Sequence, residues 1–255
     1  MFKGDKVPAK SPEELEVMIS GGKLLGEVKA ALRDAVNVGV VALNVEELAV
    51  KLIEQKGGEP SFKGVPGYSW ATCINVNEGL VHGIPKREVV FKKGDIVSVD
   101  VGMLYQGFHT DTSFTVGLEA DPETEKFLEA GKSALKEAIA KVKPGAKIYD
   151  ISKAIEDGIT QAGLTPIRDL VGHGIGKALH ELPQIPCFVS DGRQRSLEIP
   201  EGATLAIEVM YAQGSCQVEI VKDGWTIAMR DGKISALFEE TVAATAGGPL
   251  VLTEG

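Results

Sequence analysis

The sequence predicts an α+β protein, and three observations carry the prediction. Between Lys93 and Gly117, residues 96–104 alternate apolar and polar with the period of a strand, and a second strand, 108–117, follows a turn at Gly107. Four other stretches space their apolar residues helically and carry start and stop signals. The last third is rich in strand formers, with strand-like runs at 204–210, 217–222 and 235–244.

The first helix starts at Ser11-Pro12-Glu13-Glu14, with Ser11 as N-cap, Pro12 in the first turn and Glu14 closing a capping box. Its apolar stripe runs through Leu15, Met18, Ile19, Leu25, Val28 and Leu32, and Gly21, Gly22 and Gly26 mark close packing against another backbone. A second helix, with Asn44 as its expected cap, runs through Leu48 and Leu52 to Gly57-Gly58. The Phe62–Trp70 loop, rich in Gly, Pro and aromatic residues, leads to a strand at 71–76, a turn at Asn77-Glu78-Gly79, and Val81-His82-Gly83-Ile84-Pro85.

The central hairpin follows. Val97, Val99, Val101 and Met103 occupy one face of its first strand and Ser98, Asp100 and Gly102 the other. An even loop at Gln106-Gly107 pairs Tyr105 with Phe108 and Asp100 with Ser113, which sets Asp111 diagonal to Asp100 on one face; an odd loop would separate the two acids. Asp121-Pro122-Glu123 opens a third helix that ends before Pro144-Gly145, and a fourth runs from Ile148 to Ala162. Val171–Pro186 holds His173 and His180 among glycines that let backbone approach a ligand and prolines that stiffen the exit. In the β-rich last third, Asp223-Gly224 and Asp231-Gly232 are expected hairpin turns.

Composition narrows the function. A chain of 255 residues, 44% hydrophobic, buries one sizeable core, and a single domain is expected, with residues 11–255 as core behind an N-terminal extension of residues 1–10. The net charge of −9 and the absence of a basic stripe argue against nucleic acid or an anionic membrane as partner. No apolar run reaches the roughly 18 residues of a membrane span, and the N-terminus lacks the apolar core of a signal peptide, so a soluble, cytoplasmic protein is expected. Cys73, Cys187 and Cys216 are too few and too scattered for a disulfide framework.

Four acids sit where apolar residues belong: Asp100, Asp111, Glu208 in LAIEVM and Glu239 in ALFEETV. Buried carboxylates must be protonated, paired with cations or amides, or bound to metal. Two divalent cations would balance the four, and with His173 the donor set suits Mn, Fe, Co or Zn better than a thiol-seeking ion. His82 and His180 add two imidazoles. His180-Glu181 does not begin a metalloprotease H-E-x-x-H helix, because position 184 is Gln and Pro183 breaks the turn.

These motifs together, VHGIP at His82, DVGMLYQGFHTDTSFTVG, GHGIGKALHELPQIP, LAIEVM and FEETV, resemble those of the type I methionine aminopeptidases along nearly the whole chain. The resemblance implies the "pita-bread" fold, a curved, mainly antiparallel sheet backed by helices with pseudo-twofold halves. It implies a dinuclear metal centre on Asp100, Asp111, His173, Glu208 and Glu239, and excision of N-terminal methionine from peptides and nascent proteins by metal-activated water. Glu208 would shuttle the proton, His180 stabilise the oxyanion and His82 bind the substrate backbone or assist the leaving nitrogen. Phe62, Tyr68, Cys73 and Trp225 would form the pocket for the methionine thioether, with core packing the competing role for these four. Prolidase and aminopeptidase P share fold and ligands but carry a large extra N-terminal domain, whereas 81 residues precede His82 here. Type II enzymes insert a helical subdomain where this chain has 27 residues between His180 and Glu208, and no zinc-binding extension precedes the core. A monomer is expected. Two positions depart from the pattern: Val209 stands where Pro is usual and Glu240 where His is usual. An added buried acid at 240 is expected to alter metal dependence or pH optimum. The alternative function is a non-catalytic protein of the same fold that binds peptides or protein partners.

Overall fold

The computed structural model describes residues 6–255; the first five residues of the expected extension lie outside the described residues. Helices α1 (Pro12–Ala35), α2 (Ala42–Gln55), α3 (Pro122–Ile139) and α4 (Ile148–Gln161) pack on one side of a large sheet. The strands are β1 (Glu59–Pro60), β2 (Thr72–Val76), β3 (Gly79–Val81), β4 (Ile96–Tyr105), β5 (Phe108–Gly117), β6 (Thr165–Pro166), β7 (Val171–Gly174), β8 (Glu181–Pro186), β9 (Thr204–Ala212), β10 (Val218–Ile220), β11 (Ile227–Met229), β12 (Ser235–Thr245) and β13 (Gly248–Val251). The order β1-β4-β5-β12-β9-β7-β8 forms the spine of the sheet, with β2, β6 and β13 joined to β4, β9 and β12, and β10-β11-β3 form a separate small sheet. Each of these strand pairings is antiparallel.

The halves are built alike. α1 and α2 cover β4 and β5 through Leu25, Leu32, Ile53, Val99 and Met103, whereas α3 and α4 cover β9 and β12 through Leu128, Ile155, Ile207 and Phe238. Each helix pair buries its apolar stripe against the helix-facing residues of two long strands, and this burial is the principal stabilising term. The alternate residues of those strands are left for the opposite, concave face.

Ser11 caps α1 by accepting from the Glu14 amide, with the reciprocal bond from the Ser11 amide to the Glu14 carboxylate, and Asp121 caps α3. Two expectations are corrected. Asn44 does not cap α2: the helix begins at Ala42, and Val41 is fixed by a bridge to Val90 that orients the entry without a side-chain cap. Asp231-Gly232 is a turn but closes no hairpin, because β11 belongs to the small sheet and β12 to the large one. The α1 glycines meet backbone as expected: a Cβ on Gly22 would lie 2.6 Å from the Leu252 carbonyl oxygen, and one on Gly26 2.3 Å from that of Glu254. Residues 6–10 pack on the body of the molecule, with Val7 buried and the Lys10 amide bonded to the Gly202 carbonyl at 2.8 Å.

The central hairpin has the even loop. Gln106 and Gly107 both take positive φ, 48° and 85°, the pairing that matches the twist of the flanking strands. Tyr105 pairs with Phe108, Asp100 with Ser113 and Gly102 with Asp111, so the two acids share the concave face.

Candidate metal centre and adjoining pocket

Register across four adjacent strands puts a row of polar side chains at the centre of the concave face. Asp100 on β4 faces Ser113 on β5, Ser113 faces Glu239 on β12, and Glu239 faces Glu208 on β9. Asp111 enters from two residue pairs along, on the same face. There β5 and β12 part, and Thr241 replaces the ladder by accepting from the Asp111 amide at 2.9 Å and donating to its carbonyl at 2.7 Å. His173 on β7 pairs with Ala206 of β9, and its Nε2 lies 3.6 Å from Glu208 Oε1. Ligand atoms of Asp111, His173 and Glu239 fall within 4.8 Å of one another. All five residues line one cavity of about 170 Å³, together with His82, His180, Phe62, Val65, Tyr68, Cys73, Val81, Leu179 and Trp225.

The carboxylates are under-compensated. Burial is the largest influence on each: it pushes Asp100 up to about 7 and Asp111, Glu208 and Glu239 well above the usual range, with neighbouring acids adding to the last three. Asp100 Oδ1 and Glu239 Oε1 are buried and find no hydrogen-bond partner among the described residues. Glu46, an acid in the same protein buried for structure, shows the contrast. Its two oxygens accept from the Ala71 amide, the Thr72 amide and the Thr72 hydroxyl, tying α2 to the start of β2. Orphaned carboxylate oxygens beside a neutral imidazole fit divalent cations in a way that the Glu46 arrangement does not.

His173 meets the cluster as a neutral ring. Burial holds its pKa down to about 4, so the ring is neutral near pH 7. Nδ1–H donates to the Gly174 carbonyl at 2.9 Å, which leaves the Nε2 lone pair facing the carboxylates. The His180 ring stands nearly perpendicular to that of His173, with centroids 4.5 Å apart. His82, also at the cavity mouth, has φ 58°, a left-handed conformation that a non-glycine residue adopts at a cost of order 1 kcal/mol.

Phe62, Tyr68 and Cys73 form a buried cluster with Val65, Leu179 and Trp225 packed on it, and the Tyr68 and Trp225 rings meet edge-on at 5.1 Å. Gly102 makes the room: a Cβ there would lie 2.9 Å from Phe62 Cε1. Trp225 comes from the β10–β11 turn, whose Asp223 accepts from the Trp225 and Thr226 amides and from Lys86.

The sequence predicts that the glycines of Val171–Pro186 let backbone approach a ligand, and the structure corrects this: they pack against other parts of the protein. A Cβ on Gly172 would meet the Ala206 carbonyl at 2.6 Å, on Gly174 the Leu182 carbonyl at 2.0 Å and on Gly176 Lys10 Cε at 2.3 Å, so these glycines let protein segments close on one another. The acid at 240 is compensated: Lys29, 1% exposed, donates to Glu240, which also accepts from Thr112 and Thr253. Val209 is fully buried on the helix-covered face. His109 went unweighed in the sequence. Its ring contacts Ser61 Oγ at 2.9 Å and its amide donates to the Gly176 carbonyl, a place that its separation of two residues from Asp111 already implies.

Comparison with known proteins agrees with this geometry. The family model for metallopeptidase family M24 matches residues 16–246. A methionine aminopeptidase of Aquifex aeolicus is 38% identical over 251 residues, covering 96% of this chain and 97% of the relative. The crystal structure of methionine aminopeptidase from Thermotoga maritima superposes with a TM-score of 0.94 at 39% identity, over 98% of this chain and 100% of that one. Prolidase from Pyrococcus furiosus, 22% identical, has the same fold with a TM-score of 0.78, and 65% of it is covered. Helix-backed antiparallel sheet, acid-lined concave face and full-length similarity thus converge: the chain belongs to metallopeptidase family M24, among the methionine aminopeptidases.

Proposed function

We propose that this protein is a metal-dependent hydrolase that removes the N-terminal methionine from peptides and proteins. The observation that carries the reading is the row of under-compensated carboxylates beside a small apolar pocket in one cavity. Full-length similarity to methionine aminopeptidases supports it.

Asp100, Asp111, His173, Glu208 and Glu239 would hold two divalent ions drawn from Mn, Fe, Co or Zn, since four carboxylates require about four positive charges. Bound there, such ions supply Lewis acidity that lowers the pKa of water toward neutrality. Glu208, at the open side of the row, is suited to move a proton from the attacking water to the leaving amine. A His180 ring N–H stabilises the oxyanion, and His82 hydrogen-bonds the substrate backbone or assists the leaving nitrogen. Phe62, Tyr68, Cys73 and Trp225 enclose the methionine side chain, for which aromatic rings and a thiol are suitable walls. The small volume of the cavity favours action at a chain end over action within a chain. No helix among the described residues is long and apolar enough to cross a membrane, and a monomeric cytoplasmic enzyme acting on nascent chains fits the acidic composition.

Metal-stripped protein is to be assayed on a Met-Gly-Met peptide with Mn, Fe, Co or Zn added singly. Release of free methionine with at least one metal is expected; no release with any of them would refute the function.

A further inference from the structure

The segment that carries His180 has no regular structure of its own. Residues 176–180 form a series of bends between β7 and β8, and His180 is exposed at the cavity mouth with its ring edge-on to that of His173. The start of the bends is tied to β5, where the His109 amide donates to the Gly176 carbonyl at 2.7 Å, and a further support comes from the other end of the chain. Lys10 Nζ donates to Glu181 Oε2 at 2.7 Å, with the two side chains 6% and 16% exposed. Glu181 Oε1 accepts from the Ala178 amide at 3.1 Å, so one carboxylate both closes the turn leading into His180 and fastens it to Lys10. Lys10 is itself fixed by its amide bond to Gly202. Its Cε passes over Gly176, where a Cβ would lie 2.3 Å away, a gap that accommodates the lysine stem. A second strut, Lys177 to Glu14 at 2.6 Å, ties the same bends to the first turn of α1.

We infer that Lys10 is a positioning residue for His180: through Glu181 it fixes the bends bearing the imidazole and keeps a carboxylate turned away from the place where negative charge develops. The inference rests on the proposed part of His180 in the reaction. Were Glu181 released, its charge would sit one residue from the oxyanion donor, and the imidazole would sample orientations that do not reach the substrate. Because Lys10 touches none of the five candidate metal ligands, its loss acts on turnover and leaves metal uptake alone.

The test uses the full-length, metal-loaded enzyme on a Met-Gly-Met peptide with Lys10→Met, Lys10→Arg, Gly176→Ala, His180→Ala and the double variant Lys10→Met/His180→Ala. Lys10→Met should lower kcat about 10-fold with KM changed by less than about 2-fold, Lys10→Arg should recover most of the loss, and Gly176→Ala, which displaces the lysine stem, should reproduce it. In the His180→Ala background, Lys10→Met should cost nothing further. Metal affinity of the stripped protein should stay within about 2-fold of wild type, and the His180 ring resonances should broaden in Lys10→Met while those of His82 do not. An unchanged kcat in Lys10→Met, a full additive cost in the double variant, or a matching fall in metal affinity would overturn the inference and leave the function standing. Wild-type turnover in His180→Ala would instead defeat the role of His180, and this inference with it.

Discussion

Lys29 on α1 donates a hydrogen bond to Glu240 on β12, an ion pair closed between residues 211 apart, on the helix-covered side of the sheet and one residue along from the buried acid Glu239. The pair explains how a further acid is tolerated beside four others. Strand alternation turns Glu240 away from the cavity, where a lysine buried to 1% exposure meets its Oε1, and the Thr112 and Thr253 hydroxyls donate to its Oε2. The Thr112 hydroxyl shares its one proton between Glu240 and the Glu239 carbonyl, 2.9 Å away, so the same group of side chains ties β5 and the segment after β13 to β12 behind the site.

Lys29→Met therefore strands a buried carboxylate and should cost about 3 kcal/mol of unfolding free energy, whereas Lys29→Met/Glu240→Met should lie within about 1 kcal/mol of wild type. Denaturant unfolding of the three proteins decides it. A double variant as unstable as the single one would show that the pair does more than balance charge.

Asp111→Asn removes one negative charge from a cluster that raises its own pKa values. The metal-stripped variant should be more stable than stripped wild type at pH 8, while metal affinity and turnover each fall by more than about 100-fold. Calorimetric titration with Mn and thermal melts of both stripped proteins give the two opposite signs.

The pH dependence of metal uptake follows from Asp100. Its carboxyl is raised to about 7 without metal, and a ligand must be deprotonated to bind, so affinity should weaken as pH falls through about 7 and binding should release protons. For the stripped protein the sign is the reverse of ordinary acid denaturation. A raised carboxyl stabilises the fold fully below the unfolded value near 4, and that contribution is lost as pH rises to about 7. Asp100→Asn should remove this part of the slope, which melting curves of stripped protein from pH 4 to 8 will show.

Asp223 has the opposite shift. Burial works against its charge, but the Lys86 ammonium and the Trp225 and Thr226 donors outweigh it and hold the carboxyl below its usual range. Its contribution is present above about pH 4 and lost as pH falls through the folded pKa. Asp223→Ala should cost on the order of 1 kcal/mol at pH 7 and, by loosening the turn that presents Trp225, raise KM for Met peptides severalfold with a smaller change in kcat. An unchanged KM would separate Trp225 from substrate binding.

Trp225→Ala tests the pocket directly. Opening one wall of an apolar site should lower kcat/KM for Met peptides about 10-fold or more and reduce discrimination against Leu peptides, because an aliphatic of similar size then fits nearly as well. Competition between Met-Gly-Met and Leu-Gly-Met gives the ratio.

The sequence by itself determined the local structure and the identity of the acids. Capping at Ser11 and Asp121, the Gln106-Gly107 turn and the two-residue period of β4 and β5 depend on neighbours within a few positions, and they place Asp100 and Asp111 on one face without reference to the rest of the chain. Asp100, Asp111, Glu208 and Glu239 could be singled out because a carboxylate among valines and isoleucines has few physical explanations. Tertiary structure decided whether those acids meet. That Ser113, Glu239 and Glu208 fall in one row is a matter of register between strands far apart in the chain, and one step of slippage would have sent an acid to the helix side. The partners of Lys29 and Lys10, 211 and 171 residues away, carry no mark in a local pattern, because a lysine with a buried ammonium reads like any surface lysine until its partner is found. Short-range sterics wrote the elements, and long-range pairing of charges and strands wrote the site.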